Sequence, residues 1–189
     1  MSEKGINIDM TPVKSGERYF YVWSHRKNIG TPLDTGSMLM IAEFDPVHPE
    51  RLISEPKCLS RPLYGFENTE HTINNEGPYA FYYNNKIYLA YSGGDARGYL
   101  YAIGMLTAND GDDLCDLSVW EKAKTPIASF ATIPGEYGPG HNSFFWDRDQ
   151  NLWIAYHAVT SFEEKIVSSG MRRVYFEQDK TPRFDVIVE

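Results

Sequence analysis

The chain has 189 residues, 42% hydrophobic and 23% charged, which suits one domain with a sizeable core. A formal net charge of −8 without any block of Lys or Arg disfavours nucleic acid and anionic membrane as partners, since both reward a basic surface. Cys58 and Cys115 join no CxxC or Cys/His cluster, so neither a disulfide scaffold nor a structural zinc site has support, and two buried free thiols are expected.

An aromatic content of 14% favours strands. The first module reads as a strand over 8–13, a turn over 14–17, strands over 18–24 and 37–44, and an outer strand over 52–54. A long loop over 55–75 follows, of the kind that shapes a binding site. The second module has strands over 78–83, 86–92 and 99–107 about an Asn84-Asn85 turn, then an acidic, turn-rich stretch over 110–116 and a short helical turn over 116–122. The third has strands over 142–147, 152–157 and 172–176, with a second candidate specificity loop over 161–170.

Three runs are near-copies of one another: Tyr19-Phe20-Tyr21-Val22-Trp23-Ser24, Ile87-Tyr88-Leu89-Ala90-Tyr91-Ser92 and Leu152-Trp153-Ile154-Ala155-Tyr156-His157. Their last residues are separated by 68 and 65 positions, too long for a helical repeat and suited to a blade of four short antiparallel strands. The expected fold is an all-β propeller, here with about three blades, and residues 1–189 are read as a single domain or a fragment of one. About three blades close no circle, so the open edges call for a larger propeller or for a homo-oligomer that covers them.

Asp9 stands fifteen residues before Ser24, Glu76 sixteen before Ser92, and His141 sixteen before His157. Each heads a first strand, and first strands line the channel of a propeller, so these three polar groups are expected to share one pocket. The N-terminal Met-Ser-Glu-Lys-Gly lacks the apolar core of a signal peptide, and no run of about 18 apolar residues occurs. From this the chain is expected to be cytoplasmic and to span no membrane.

The segments Asn75-Glu76-Gly77-Pro78, 87–93 and Tyr137-Gly138-Pro139-Gly140-His141-Asn142-Ser143-Phe144 carry a family likeness, with Ile8-Asp9, 19–24 and Arg172-Arg173 in weaker support. On them the chain resembles the C-terminal portion of a glycoside hydrolase of family 43, the β-xylosidase, α-L-arabinofuranosidase and arabinanase group. The resemblance implies a five-bladed propeller and inverting hydrolysis of arabinofuranosides or xylosides. The partner would be a plant cell-wall oligosaccharide or an aryl or alkyl glycoside. It casts Glu76 as general acid and Asp9 as the aspartate that holds the acid and adjusts its pKa. The family's general base lies in the first blade, ahead of these residues, so none here takes its role. His141 matches the axial histidine that in arabinan-cleaving members helps hold an ion, often calcium, through waters; no cofactor is required. Arg172 or Arg173 matches a basic residue beside the pocket.

The chemistry behind such a set is general. One carboxyl must stay protonated to donate to the leaving oxygen, and a like charge nearby raises its pKa. An inverting enzyme places a second carboxylate about 6.5–9.5 Å away to admit the attacking water. Blander readings stand beside these. Glu76 is a solvated turn glutamate, Asp9 a strand-edge aspartate, and His141 a core histidine bonded to backbone. Tyr19, Tyr21, Trp23, Tyr88, Tyr91 and Trp153 fit inter-blade core, whereas the loop residues Tyr64, Phe66 and Tyr137 fit sugar stacking better. The competing function is a non-catalytic carbohydrate-binding fragment or a complementing subunit.

Overall fold

The computed structural model describes residues 5–161, 163 and 166–185, and the described residues are all-β apart from two single 3-10 turns. One antiparallel sheet runs β1 (Ile6–Ser15), β2 (Arg18–Arg26), β3 (Met38–Glu43) and β4 (Lys57–Ser60) in chain order. A second runs β5 (Asn75–Tyr83), β6 (Lys86–Gly93), β7 (Ala102–Asn109) and β8 (Glu121–Lys122). A third holds β9 (Tyr137–Trp146), β10 (Leu152–Val159) and β11 (Val167–Arg173), with β10 central. A two-stranded pair, β12 (Tyr175–Phe176) and β13 (Pro182–Arg183), ends the described chain.

The middle sheet is apolar on both faces because it is sandwiched. Ile87, Leu89 and Tyr91 of β6 pack against Phe20, Val22, Leu39 and Ile41 of the first sheet. The alternate residues Tyr88 and Ala90 pack on the other side, with Phe144, Ile154 and Tyr156 of the third sheet. The period of two along a strand thus feeds two cores at once. The far faces of the outer sheets stay open, with Met10 at 55% and Met171 at 66% exposure.

Hairpin turns follow their residues. Asn84 and Asn85 take φ of 51° and 60°, the left-handed pair that a two-residue hairpin needs. The first hairpin turns at Gly16, whose N–H donates to Asp110 Oδ1, so the acidic loop clasps a neighbouring sheet rather than simply facing water.

The described strands depart from the sequence reading in definite places. The outer strand of the first sheet is β4 and not 52–54, where Leu52 makes only an isolated bridge to Phe44. The third strand of the last sheet is β11, not 172–176; it is polar and half-exposed, so it carries no hydrophobic alternation to find. The strand placed at 99–107 begins at Ala102. Strands β5 and β9 begin earlier than 78 and 142, running through Gly-Pro steps that argue against strand until a bulge absorbs them. The helical turn placed over 116–122 is a 3-10 turn at Leu117–Val119, capped by the Asp116 side chain. Both cysteines are free, Cys115 buried but Cys58 only half-buried.

Candidate active site

The site is built from three bulges. Pairing of β1 with β2 slips between Ile8 and Thr11, and pairing of β5 with β6 slips between Glu76 and Tyr79. In the third sheet, β9 slips against β10 next to the Gly140–His157 pair. At each slip one residue turns left-handed: Asp9 at φ 58°, Gly77 at 55° and His141 at 50°. A bulge re-aims its side chain away from the sheet, and Asp and His are among the few non-glycine residues that enter this region readily.

This register corrects the sequence alignment by one residue. Ile8, Glu76 and Gly140 are equivalent, opposite Ser24, Ser92 and His157, while Asp9 and His141 share the bulge position with Gly77.

The sheets interlock through these bulges. The Gly77 N–H donates both to Ser24 Oγ and to Asp9 Oδ2, each at 3.2 Å, and Ser24 Oγ donates to Asp9 Oδ2 at 3.3 Å. The His141 N–H donates to Ser92 Oγ at 2.7 Å, the same bond one sheet further on. His141 Nε2 lies 3.8 Å from Asp9 Oδ1, and a Cβ on Gly77 would meet the His141 ring at 3.3 Å. Glu76, next to Gly77, accepts the Tyr101 O–H on Oε1 at 2.7 Å. The structure therefore brings Asp9, Glu76 and His141 together.

An open cleft of about 580 Å³ runs along the three inner strands, lined by Asp9–Pro12, Gly77–Ala80 and His141–Ser143. Glu76 stands beside its lining. Two further groups, Tyr101 and His157, were not among the site residues read from sequence. The His157 ring stacks on Tyr101 with centroids 5.6 Å apart, and sits 6.4 Å from the His141 ring. Burial draws the His157 imidazole below its ordinary pKa, and a bond to the Ala96 backbone opposes this. The available signal was His157 itself, an imidazole where the two preceding copies have serine.

The other expected residues lie apart. Arg172 donates to Tyr156 Oη and Glu136 Oε1, both at 2.8 Å, and Arg173 lies over the Tyr175 ring at 5.0 Å. Phe66 packs against Tyr91 with centroids 6.5 Å apart, and Tyr137 meets Tyr99 edge-on at 6.1 Å. None of the four lines the cleft. Among the described residues no group of three or more His, Cys, Asp or Glu is placed to hold a metal ion. Asp9 and His141 alone make no calcium cage, since that ion takes about six to eight oxygen ligands.

The described residues thus form an all-β frame with the carboxylates of Asp9 and Glu76 beside an open cleft. Residues 2–182 match the profile of the Glycosyl hydrolases family 43, and the chain belongs to that family. An extracellular exo-α-(1→5)-L-arabinofuranosidase of Streptomyces avermitilis is 28% identical over 97% of this chain and 38% of its own length. The enzyme of the same description from Streptomyces chartreusis is 35% identical over 81% of this chain and 45% of its own. The chain thus spans less than half of either relative. The crystal structure of an α-L-arabinofuranosidase from Lactobacillus brevis superposes with a TM-score of 0.80 at 29% identity, covering 95% of this chain and 55% of that one. The two Streptomyces enzymes are extracellular by name, which overturns the cytoplasmic expectation: the missing apolar stretch near Met1 carried no information about location.

Proposed function

We propose that these residues carry the acid side of an inverting glycosidase acting on arabinofuranosides or xylosides of plant cell-wall oligosaccharides. Glu76, protonated, gives its proton to the glycosidic oxygen as the bond to the anomeric carbon breaks. Asp9 accepts the Gly77 N–H and so holds the backbone beside the acid in place. Water adds from the opposite face of the sugar, activated by a carboxylate from outside the described residues, and the product leaves with inverted configuration. The observation that carries this reading is the Asp9 carboxylate, fixed by the N–H of Gly77, the residue that follows Glu76. The names of the Streptomyces and Lactobacillus relatives support the arabinofuranose side, and those of the two Streptomyces enzymes point to secretion. In this reading the sheets are consecutive blades of one five-bladed propeller, and a complementary segment or a second copy covers the open faces.

A second reading, a carbohydrate-binding fragment or complementing subunit, draws on one fact: among the described residues Asp9 is the sole acidic group lining the cleft. Release of p-nitrophenol from p-nitrophenyl α-L-arabinofuranoside and β-D-xyloside, compared between wild type and Glu76→Gln, separates the two. A loss of about 10²–10⁴-fold is expected from removing a general acid, larger on an oligosaccharide than on the activated aryl glycoside. Hydrolysis undiminished in Glu76→Gln refutes the acid assignment. No turnover in either protein, with arabinose or xylose binding seen by calorimetry, favours the binding fragment.

A further inference from the structure

Tyr101 sits just ahead of β7, fully buried, with its phenol O–H on Glu76 Oε1. Its ring is held from several sides. His157 stacks against it with planes 10° apart, and a Cβ on Gly140 would overlap the ring, so the glycine of the Tyr-Gly-Pro-Gly-His segment is where this tyrosine fits. A buried phenol needs a partner, and here that partner is the carboxyl cast as the acid.

We infer that Tyr101 is a positioning residue for Glu76, occupying one carboxyl oxygen so that the acid proton is carried on the other. This rests on the reading of Glu76 as general acid. With Oε1 filled by a donor, a protonated Glu76 can hold its hydrogen only on Oε2, and the carboxyl plane is fixed by the same bond. Burial and the Glu76 charge hold the Tyr101 phenol well above its ordinary pKa, so it remains a donor wherever the acid titrates. The other titratable groups at the cluster are Asp9 on β1, His141 on β9 and His157 on β10, and all remain when Tyr101 alone is changed.

The test is a ¹³C-carboxyl NMR titration of the full chain, wild type against Tyr101→Phe, with the Glu76 signal assigned through Glu76→Gln. Losing a donor to the charged form moves the Glu76 midpoint up by about one to two pH units. The Asp9 midpoint, whose bonds to Gly77 and Ser24 are untouched, stays in place. An unmoved Glu76, or both carboxyls moving together as loosened packing would make them, overturns the inference. Should Tyr101→Phe not fold, 3-fluorotyrosine incorporated throughout decides. The more acidic phenol is a stronger donor, so the Glu76 midpoint moves down, and no movement overturns the inference. An unmoved midpoint leaves the role of Glu76 intact, while a moved one stands even if the chain hydrolyses nothing, so the two readings fail separately.

Discussion

Lys122 and Glu67 form the most consequential ion pair outside the cleft. The Glu67 carboxylate is fully buried and takes three donors: Lys122 Nζ at 2.5 Å, Tyr91 O–H at 2.7 Å and Tyr64 N–H at 2.7 Å. Lys122 Nζ also donates to Arg61 O at 2.8 Å and lies 3.5 Å from Asn75 Oδ1, at the head of the strand that carries Glu76. Burial draws the Lys122 ammonium below its ordinary pKa despite the pull of Glu67, the mark of a pair that is costly to desolvate. Breaking such a pair from one side costs about 3–5 kcal/mol, because a buried charge is left behind. Here two of the three donors remain, which places Lys122→Met at the low end. At about 2–4 °C per kcal/mol for a chain of this size, a cost of about 3 kcal/mol lowers Tm by about 6–12 °C. Tryptophan fluorescence during thermal unfolding reads this directly. The double variant with Glu67→Gln removes the orphaned charge and should recover part of the loss. A single-variant cost under about 1 kcal/mol, the range of exposed pairs, or strict additivity in the double, would refute the reasoning.

Gly140→Ala should cost about 1–3 kcal/mol by forcing a methyl into the Tyr101 ring, whereas Gly65→Ala, with open space around it, should stay within about 1 kcal/mol of wild type; denaturant midpoints compare the two. Asp147 has its pKa drawn down to about 2 by hydrogen bonds, first from the Asn151 side chain, then from the Asn151 backbone and the Trp153 indole. Its contribution is therefore present above the ordinary value of 3.8 and lost as pH falls through about 2, so Asp147→Asn should flatten the acid slope of Tm between those limits. Trp153 fluorescence, one hydrogen bond from the carboxylate, follows the same titration.

Much of the fold was legible because one hydrophobic pattern was written three times. The runs ending at Ser24, Ser92 and His157 are the central strands β2, β6 and β10, and their alternation carries the cores between the sheets. The polar edge strand β11 was missed because half-exposed serines and a glycine give no periodicity. In the site, Asp9, Glu76 and His141 were visible as polar heads of first strands, but the one-residue bulge in each pairing was not. A bulge is a property of two strands together, and the sequence of either shows only a glycine, an aspartate or a histidine. Tyr101 was hidden for the same reason. Its neighbours suggest an ordinary alternating strand, and only the partner across the sheet, 25 positions earlier in the chain, distinguishes it.

The residues that mark the repeat and the residues that make the site are bonded to one another. A left-handed bulge leaves its own N–H without a ladder partner, and a buried N–H must find an acceptor. Ser24 supplies it for Gly77 and Ser92 for His141, so β5 and β9 are each tied to the sheet before them at their bulges. The serine that ties Gly77 also donates to Asp9. Sheet packing and the placement of Asp9 therefore rest on the same hydroxyl. Where the third copy replaces serine by His157, the position is occupied instead by a ring that packs on Tyr101 and faces His141, drawing the last sheet into the same cluster.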